Sequence, residues 1–432
     1  MATRNGWLAI CVIDDYTTIH AKRRPTEFST SKVSSMCTII CRIFPEINAI
    51  PLTGLQYLQN PSGVDVRVLQ NELSSEQTMH NLAMTYCDRM PEWFGTQFFS
   101  PEAERHRLYA HMYRESDNVR KMRCLDNVHL VDFVNLPLKS TTDFETALEI
   151  LRRTSMGEYM SKYALPIPGD WPAQFHVRKA VYSKCGFRPP ADVHVNDLDV
   201  GSTSSNDGTA VFNNDGLHHY SMSTTSDCFI NIGDRDFTDP LQSAVPMIGP
   251  LHISLNSREN VMQNFHPLFK HLYEILLPKQ KLAEKPKTWR TSLLLEVVYG
   301  GWTLIRPFIK RSFCRCKHPL YGIILNLLDN YIPLVLSIYS VVFRLNSFPL
   351  YLSSMISVWV MFYCFRRHHY NKAPLVWLSN VLFWKRSNPD MYHFLQRHIT
   401  TTDEEPVENT HSIIRAQTVD GDDSSMLQKR PK

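Results

Sequence analysis

Three acidic positions, far apart in the chain, have the residue types that divalent-metal chemistry uses. Asp14 and Asp15 directly follow a continuous apolar run, and Asp170 follows a second apolar stretch that ends in glycine. Glu408 lies in a third, acidic segment. Mg²⁺ prefers hard oxygen ligands, and two such ions about 4 Å apart can bind the attacking and leaving oxygens of a phosphodiester. The sequence therefore predicts a site for Mg²⁺ or Mn²⁺ that contains these carboxylates.

Each of these carboxylates also has an ordinary structural explanation. Aspartate commonly opens the turn after a strand, which would account for Asp14 and Asp15, and it caps helices, which would account for Asp170. Glu408 follows Pro406, a residue that suits the first turn of a helix, where the helix dipole favours an acidic side chain. Taken singly, each position leaves both interpretations open. The prediction of a metal site depends on their convergence, with either Asp14 or Asp15 as the first ligand.

Nearby basic and imidazole side chains are candidates to bind phosphate. One pair lies in the stretch 249–259, part of which we predict to be a strand. A histidine on a strand is commonly a structural residue, and this alternative also stays open. A second pair follows Glu408 on its predicted helix. The candidates for contact with phosphate or DNA are His252, Arg258, His411 and Arg415.

The elements that would position these groups follow from hydrophobic periodicity. The run Trp7–Ile13 is apolar at every position, which is typical of a central strand buried on both faces. Thr141–Arg153 has apolar residues at helical spacing after a threonine cap, and the pattern from Lys287 to Arg397 is helical almost throughout. Further strands are predicted at Thr17–His20, Met36–Ile43, Gly63–Leu69, His129–Asn135 and Ile248–Leu255, and a further helix at Ala173–Tyr182.

The order of these elements predicts an α/β fold, in which a sheet core is interrupted or followed by a helical subdomain. The core would occupy residues 1–184 and resume with a strand and a helix at 246–284. Between them, residues 185–245 predict a flexible polar loop, because the stretch 201–227 is rich in Ser, Thr, Asn, Asp and Gly without periodicity. The remaining predicted segments are the helical block 285–398, the helix of Glu408 at 399–419 and a disordered tail at 420–432.

Composition and charge restrict the classes of protein to which the chain can belong. Of 432 residues, 43% are hydrophobic, and 46 basic against 42 acidic residues give a net charge of only +4. This balance neither requires nor excludes nucleic acid. Ten cysteines without framework spacing, and no apolar signal region at residues 1–6, predict reduced thiols in the nucleus or cytoplasm. Cys314 and Cys316 lack a second cysteine pair and are a weak zinc signal.

Two apolar segments raise the alternative of a membrane-associated protein. Tyr331–Phe343 and Tyr351–Phe365 are strongly apolar, but each is shorter than the roughly 20 residues that a spanning helix needs. Arg344, Asn346 and Pro349 lie between them. We therefore predict two buried core helices and no membrane partner, with a membrane hairpin as the alternative.

Several longer stretches resemble a group of large, mostly uncharacterised proteins encoded by multicopy, transposon-like genes. They extend over nearly the whole chain. That group is similar, at a greater distance, to transposases of the DDE type, which have an RNase H fold. The stretches are NGWLAICVIDDYTTIHAKRRP, PGDWPAQFHVRKAVY, IGPLHISLNSRE, LLLEVVYGGWTLIR, LLDNYIPLVLSIYS, RRHHYNKAPLVWLS and EEPVENTHSIIRAQT.

The resemblance implies an RNase-H-like mixed sheet core with a large all-helical insertion. It also implies Mg²⁺- or Mn²⁺-dependent hydrolysis and strand transfer of DNA phosphodiesters. In such transposases the first acidic residue ends the first strand, the second follows a glycine after the fourth strand, and a glutamate follows the helical insertion. By that resemblance the metal ligands are Asp14 or Asp15, Asp170 and Glu408.

The resemblance further implies DNA as the partner, and self-association is compatible with it. The chain starts almost directly on the first predicted strand, so we expect a truncated copy without a DNA-reading domain. The alternative function is that of a non-enzymatic relic that only binds DNA or protein.

Overall fold

The computed structural model shows a mixed α/β protein, as the sequence predicts. The described residues are 2–26, 29–52, 58–60, 66–73, 127–184, 239–344 and 346–417. The strands within them are β1 (Trp7–Thr26), β2 (Ser29–Asn48), β3 (Val128–Val134), β4 (Leu165–Gly169) and β5 (Ala244–Ile248).

Helices follow and flank these strands. The helices that precede β5 in the chain are α1 (Ala2–Asn5), α2 (Val66–Leu73), α3 (Thr141–Arg152), α4 (Met156–Met160) and α5 (Trp171–Lys184). The helices that follow β5 are α6 (Pro250–Asn264), α7 (His266–Leu276), α8 (Thr288–Ser312), α9 (Pro319–Asn326), α10 (Ile332–Ser337), α11 (Phe348–Cys364), α12 (Ala373–Ser387), α13 (Pro389–His398) and α14 (Glu405–Gln417).

The strands form two small sheets that lie side by side. β1, β2 and β3 pair antiparallel in that order, and β4 pairs with β5 in parallel. β4 packs along β1, since a Cβ atom added to Gly169 would lie 3.8 Å from the carbonyl oxygen of Ile13. β1 therefore has β2 on one flank and β4 on the other, which is the central position that its unbroken apolar run predicts.

The two faces of β1 belong to different cores, because successive side chains of a strand point to opposite faces. Ala9, Cys11 and Ile13 are buried with the apolar faces of α3, α4 and α5. Leu8 and Ile10 are buried on the other side, with α6 and the helices from α8 to α13. The strand layer is thus covered by helices on both faces.

The apolar segments predicted as core helices are largely buried. Ile332, Val335, Ile338 and Phe343 are inaccessible to solvent, and the chain stays helical through two π-helical segments, Leu327–Tyr331 and Ile338–Phe343. Among the described residues, Pro319–Ser340 is long and apolar enough to cross a membrane by length and composition alone, with a mean hydropathy of 1.4 and 44% of its 18-residue apolar window buried.

Several predicted elements agree with the structure. β3 matches the strand at His129–Asn135, α5 matches the helix at Ala173–Tyr182, and the block from Lys287 onward is helical. The helix at Thr141–Arg153 is α3, although Ser140 rather than a threonine caps it. The polar stretch 201–227 and the tail 420–432 lie outside the described residues.

Three strand predictions are wrong. Thr17–His20 is not a separate strand, because β1 runs on without interruption to Thr26. The predicted strand at Gly63–Leu69 meets α2 from Val66 onward. β5 begins at Ala244, inside the predicted polar loop, and ends at Ile248. The apolar residues that follow belong to α6, whose first residue, Pro250, suits the first turn of a helix and cannot donate to a strand ladder.

Ser140 caps the N-terminus of α3, the helix that packs against β1. Its hydroxyl accepts from Asp143 N and the Asp143 carboxylate accepts from Ser140 N, which forms a capping box. We expect Ser140→Ala to lower the free energy of unfolding by about 1 kcal/mol. Ser155→Ala is the matched control, because Ser155 precedes α4 without a side-chain capping hydrogen bond. Equal effects of the two substitutions in urea denaturation would contradict the capping assignment.

Candidate metal centre

The pleat of β1 positions Asp14. Because side chains alternate between the two faces of a strand, Asp14 lies on the same face as Val12. Val12 packs there with Ile40 of β2 and Val407 of α14. Glu408 is the next residue of α14, and its carboxylate oxygen lies within 4.8 Å of one from Asp14. Packing of one apolar triplet therefore brings two acidic residues together from opposite ends of the chain.

Asp170 joins this group at the junction of β4 and α5. Its Oδ1 accepts a hydrogen bond of 2.8 Å from Ala173 N, so it also caps α5. A carboxylate oxygen of Asp170 lies within 4.8 Å of oxygens from Asp14 and Asp15. Gly169 is required by close packing, because a Cβ atom there would be 2.7 Å from the Cβ of Ala173. The capping role of Asp170 is thus compatible with a place in the site.

Asp14 does not lie at the end of its strand, and this part of the sequence prediction is wrong. β1 continues to Thr26, and Asp14 pairs across the ladder with Thr38 of β2. On the other flank, β4 ends at Gly169, next to Ile13. The strand end that opens space beside Asp14 is therefore the end of β4.

A small pocket opens at this point. Its volume is about 90 Å³, well above the roughly 10–15 Å³ that one water molecule requires. The space is therefore large enough for an ion together with water ligands. The pocket is lined by Ile13, Asp14, Asp15, Leu138, Phe144, Asp170 and Pro172.

We name Asp14, Asp15, Asp170 and Glu408 the carboxylate cluster. Asp14 is only 8% exposed, and burial, reinforced by the charges of the other three acids and opposed by His252, raises its pKa to about 8. Burial also raises the pKa of Asp170. Such a cluster is unfavourable without a cation, and its hard oxygen donors are those that Mg²⁺ and Mn²⁺ bind. The residues present therefore fit a divalent ion.

His252 lies next to the carboxylate cluster, but on α6 and not on a strand. Its Nδ1 and its backbone N are 2.7 Å and 2.8 Å from the same oxygen, Oε1 of Glu404. Burial alone would lower the pKa of His252, but Glu404, with smaller contributions from Asp14 and Asp170, raises it to about 10. The surrounding carboxylates therefore favour the protonated imidazole, which lies between Glu404 and the cluster.

Glu404 is a buried acidic residue beside the cluster that the sequence prediction missed. It is inaccessible to solvent, and its Oε2 has no hydrogen bond within the described ranges. A Cβ atom on Gly249 would lie 1.2 Å from this oxygen, so the carboxylate occupies the space that glycine leaves. A polar run such as Thr400–Glu404 resembles a surface loop in sequence, and only its burial against α6 distinguishes it.

The segment before α14 is fixed by a buried polar network. Asp403 Oδ1 accepts from the hydroxyl of Tyr339 at 2.9 Å and from Glu405 N at 3.1 Å. The guanidinium of Arg344 forms an ion pair of 3.0 Å with Glu405. These contacts link the helical block to the first turn of α14. They therefore set the position of Glu408 one turn later.

The other predicted contact residues divide into two groups. His411 lies at the cluster, with Nδ1 3.9 Å from Asp14 Oδ2, and burial followed by the charge of Arg415 lowers its pKa to about 4. The guanidinium of Arg415 lies 5.5 Å from the ring centre of Tyr16. Arg258 is instead directed into the helical block.

The prediction that Arg258 contacts phosphate is not supported by its position. Its Nε donates to Val335 O at 3.1 Å and its Nη1 to Ser292 Oγ at 2.9 Å. The reason is the change from strand to helix at Pro250, because residues 252 and 258 then lie on different faces of α6.

Comparisons with known proteins add no identification. No protein-family model matches the chain, and neither a curated protein nor a solved structure matches it.

The raised pKa of Asp14 predicts a stability change in the metal-free protein. A carboxyl group whose pKa rises from 3.8 to about 8 on folding loses its stabilising contribution as the pH increases between these values. Asp14→Asn removes that titration, so we expect it to raise the free energy of unfolding by roughly 2–5 kcal/mol at pH 8, and by less at pH 5. Urea denaturation in EDTA measures both values.

The control for this pH effect is Asp390→Asn, at an exposed acid in the first turn of α13. It should change stability little and without this pH trend. A loss of stability in Asp14→Asn at pH 8 would show that Asp14 is held as a stabilised carboxylate.

The close approach of Gly249 and Glu404 gives a second prediction. Gly249→Ala must displace the Glu404 carboxylate from His252, so we expect it to cost about 2 kcal/mol or more. Gly322→Ala in α9 is the matched control, because its Cβ would meet nothing within 4 Å and alanine favours helices. The cost of Gly249→Ala should shrink in a Glu404→Ala background, and additive effects would exclude this contact.

Proposed function

We propose that the chain is a DDE-type transposase or nuclease derived from a transposable element, which acts on DNA phosphodiesters with Mg²⁺ or Mn²⁺. In this proposal β1 to β5 form an RNase-H-like core, and residues 285–398 form the helical insertion. DNA is the proposed substrate, and the nucleus or cytoplasm is the proposed compartment.

The convergence of Asp14, Asp170 and Glu408 carries the proposal. Asp170 lies 156 positions after Asp14, and Glu408 lies 238 positions after Asp170, yet both Asp170 and Glu408 place a carboxylate oxygen within 4.8 Å of one from Asp14. They come from β1, from a glycine that ends the fourth described strand, and from the helix that follows the helical block. The resemblance to DDE transposases implies the same order of elements for the three acidic residues.

The side chains around the cluster suit phosphodiester chemistry. Bound divalent ions would act as Lewis acids on a phosphodiester and would neutralise the acidic site. His252 is held by Glu404 through Nδ1, so its second ring nitrogen remains to donate to an anionic oxygen. The buried wall formed by Val12, Ile40 and Val407 excludes water from one side of the site.

An exposed basic segment supports DNA as the partner. Arg311, Arg315 and Lys317 lie at and beyond the end of α8, and all three are exposed. Basic side chains that follow a phosphate backbone release counterions, which makes binding weaker as salt increases. Arg367 is a structural residue and is not offered as a DNA contact, because it forms an ion pair with Glu259 of α6.

Two other functions remain as outcomes of the tests. A relic that only binds DNA would keep salt-dependent DNA binding without a divalent-ion site. Within the residues that the structure describes, Pro319–Ser340 is the segment whose length and composition favour a membrane-associated protein, and recovery in a membrane fraction that requires detergent for release would support it.

Divalent ions should stabilise the native protein, because they bind the folded carboxylate cluster and not the unfolded chain. At an ion concentration 100 times the Kd, we expect the free energy of unfolding to rise by about 2.7 kcal/mol. Asp170→Asn should abolish most of this rise, while its amide oxygen still accepts the hydrogen bond from Ala173 N and preserves the cap of α5. Thermal unfolding with and without Mg²⁺ or Mn²⁺ measures the effect.

Asp390→Asn is the control, since it removes an exposed acid of α13 that is not a member of the carboxylate cluster. It should leave the ion-induced rise unchanged. The same proteins should be tested for nicking of supercoiled plasmid DNA. The enzymatic proposal is wrong if millimolar Mg²⁺ and Mn²⁺ leave the unfolding transition unmoved, or if Asp170→Asn responds to them like the unsubstituted protein.

A further inference from the structure

We propose that His411 is a metal ligand through Nδ1 and that, together with Asp14 and Glu408, it forms a mixed nitrogen and oxygen position that prefers Mn²⁺ to Mg²⁺. This inference deepens the proposed function and rests on it. The carboxylates alone would not distinguish the two ions, so the inference depends on the histidine and on what holds it.

The position of His411 follows from α14. It is three residues after Glu408, so both side chains lie on one face of the helix, toward the sheet. A carboxylate oxygen of Asp14, one of Glu408 and a ring nitrogen of His411 all lie within 4.8 Å of one another. His411 is 2% exposed, so its imidazole is directed into the protein and toward this group of atoms.

The Nδ1 atom of His411 has the separation from Asp14 that a shared ion would produce. It lies 3.9 Å from Asp14 Oδ2, which is too long for a hydrogen bond. Two ligand atoms that are each about 2.1 Å from one ion are about 3–4 Å apart. Among the described residues, the hydrogen bond of the His411 ring is the one between Nε2 and Thr38, so Nδ1 is left to bind an ion.

The other ring nitrogen is fixed in the way that histidine ligands require. His411 Nε2 lies 2.8 Å from Thr38 Oγ1, and Thr38 pairs across the ladder with Asp14. When the Thr38 hydroxyl accepts from Nε2–H, the lone pair of the imidazole is on Nδ1 and faces the carboxylates. A hydrogen bond to the second nitrogen is the usual way in which proteins orient a histidine ligand.

The donor set decides which ion is favoured. Mg²⁺ binds oxygen almost exclusively and prefers near-ideal octahedral geometry with several waters. Imidazole nitrogen increases the affinity for first-row transition metals, of which Mn²⁺ is the one most tolerant of carboxylate ligands. We therefore expect Mn²⁺ to bind more tightly than Mg²⁺, by about tenfold or more.

The test replaces the nitrogen donor by an oxygen donor. His411→Asn can place an amide oxygen near the position of Nδ1, so Mg²⁺ binding should persist while the preference for Mn²⁺ falls about tenfold. Calorimetric titration of the full chain with each ion measures this ratio. Pulsed electron paramagnetic resonance of bound Mn²⁺ supplies a direct signature, because imidazole nitrogen coupling should be present in the unsubstituted protein and absent in His411→Asn.

Thr38→Val is a second variant, which leaves His411 in place and removes only the hydrogen bond that orients its ring. We expect it to weaken Mn²⁺ binding by about 10-fold or more, as loss of a hydrogen bond to a ligand commonly does, with less effect on Mg²⁺. Thr291→Val is the matched control, because Thr291 is also buried but its hydroxyl donates to the carbonyl oxygen of Lys287, the residue before α8.

The outcomes separate this inference from the proposed function. If Asp170→Asn abolishes binding of both ions while His411→Asn leaves their ratio unchanged and the nitrogen coupling intact, the histidine ligand is excluded and the nuclease proposal stands. If Mn²⁺ binds through His411 but Asp170→Asn has no effect on ion binding, the ligand assignment stands and the proposed function fails. If neither ion binds, both are wrong.

Discussion

The burial of the Asp14 carboxylate is the constraint on which the rest of the site depends. The same face of β1 that packs Val12 against Val407 forces Asp14 out of water two residues later, among other acids. A buried charge of this kind must be protonated, paired or bound to a cation. The surrounding structure suits the last two, because His252 lowers the pKa of Asp14 from one side and Glu408 and Asp170 bring further carboxylate oxygens close to it.

A second consequence of this constraint is that α14 cannot be positioned loosely. Its first turn is held by Tyr339 and Arg344, which belong to the helical block, through Asp403 and Glu405. The helical block therefore does more than fill space between two parts of a core. It supplies the contacts that bring Glu408 to a sheet on which Asp14 and Asp170 lie 238 or more positions earlier in the chain, and a change in its packing would be transmitted to Glu408.

Much of the fold and part of the site could be predicted from the sequence, for physical reasons that differ between residues. Some features could be recognised because their signals are local in the sequence. These are the apolar run before Asp14, the Gly169–Asp170 pair after a strand, and Pro406 in the first turn of the helix that carries Glu408. The strand assigned to residues 248–255 failed because short apolar runs fit a buried helix equally well. Glu404 and Thr38 could not be found, since their partners are distant in sequence and neither has a distinctive neighbourhood.

The contact between Gly249 and Glu404 also restricts the order in which mutations can accumulate. While Glu404 is present, any side chain at position 249 collides with its carboxylate, so a residue larger than glycine lowers the stability of the protein. Once Glu404 is lost, the requirement for glycine disappears, and position 249 can accept other residues. In related sequences, a residue larger than glycine at position 249 should therefore be found together with loss of the glutamate, so the two positions should change together.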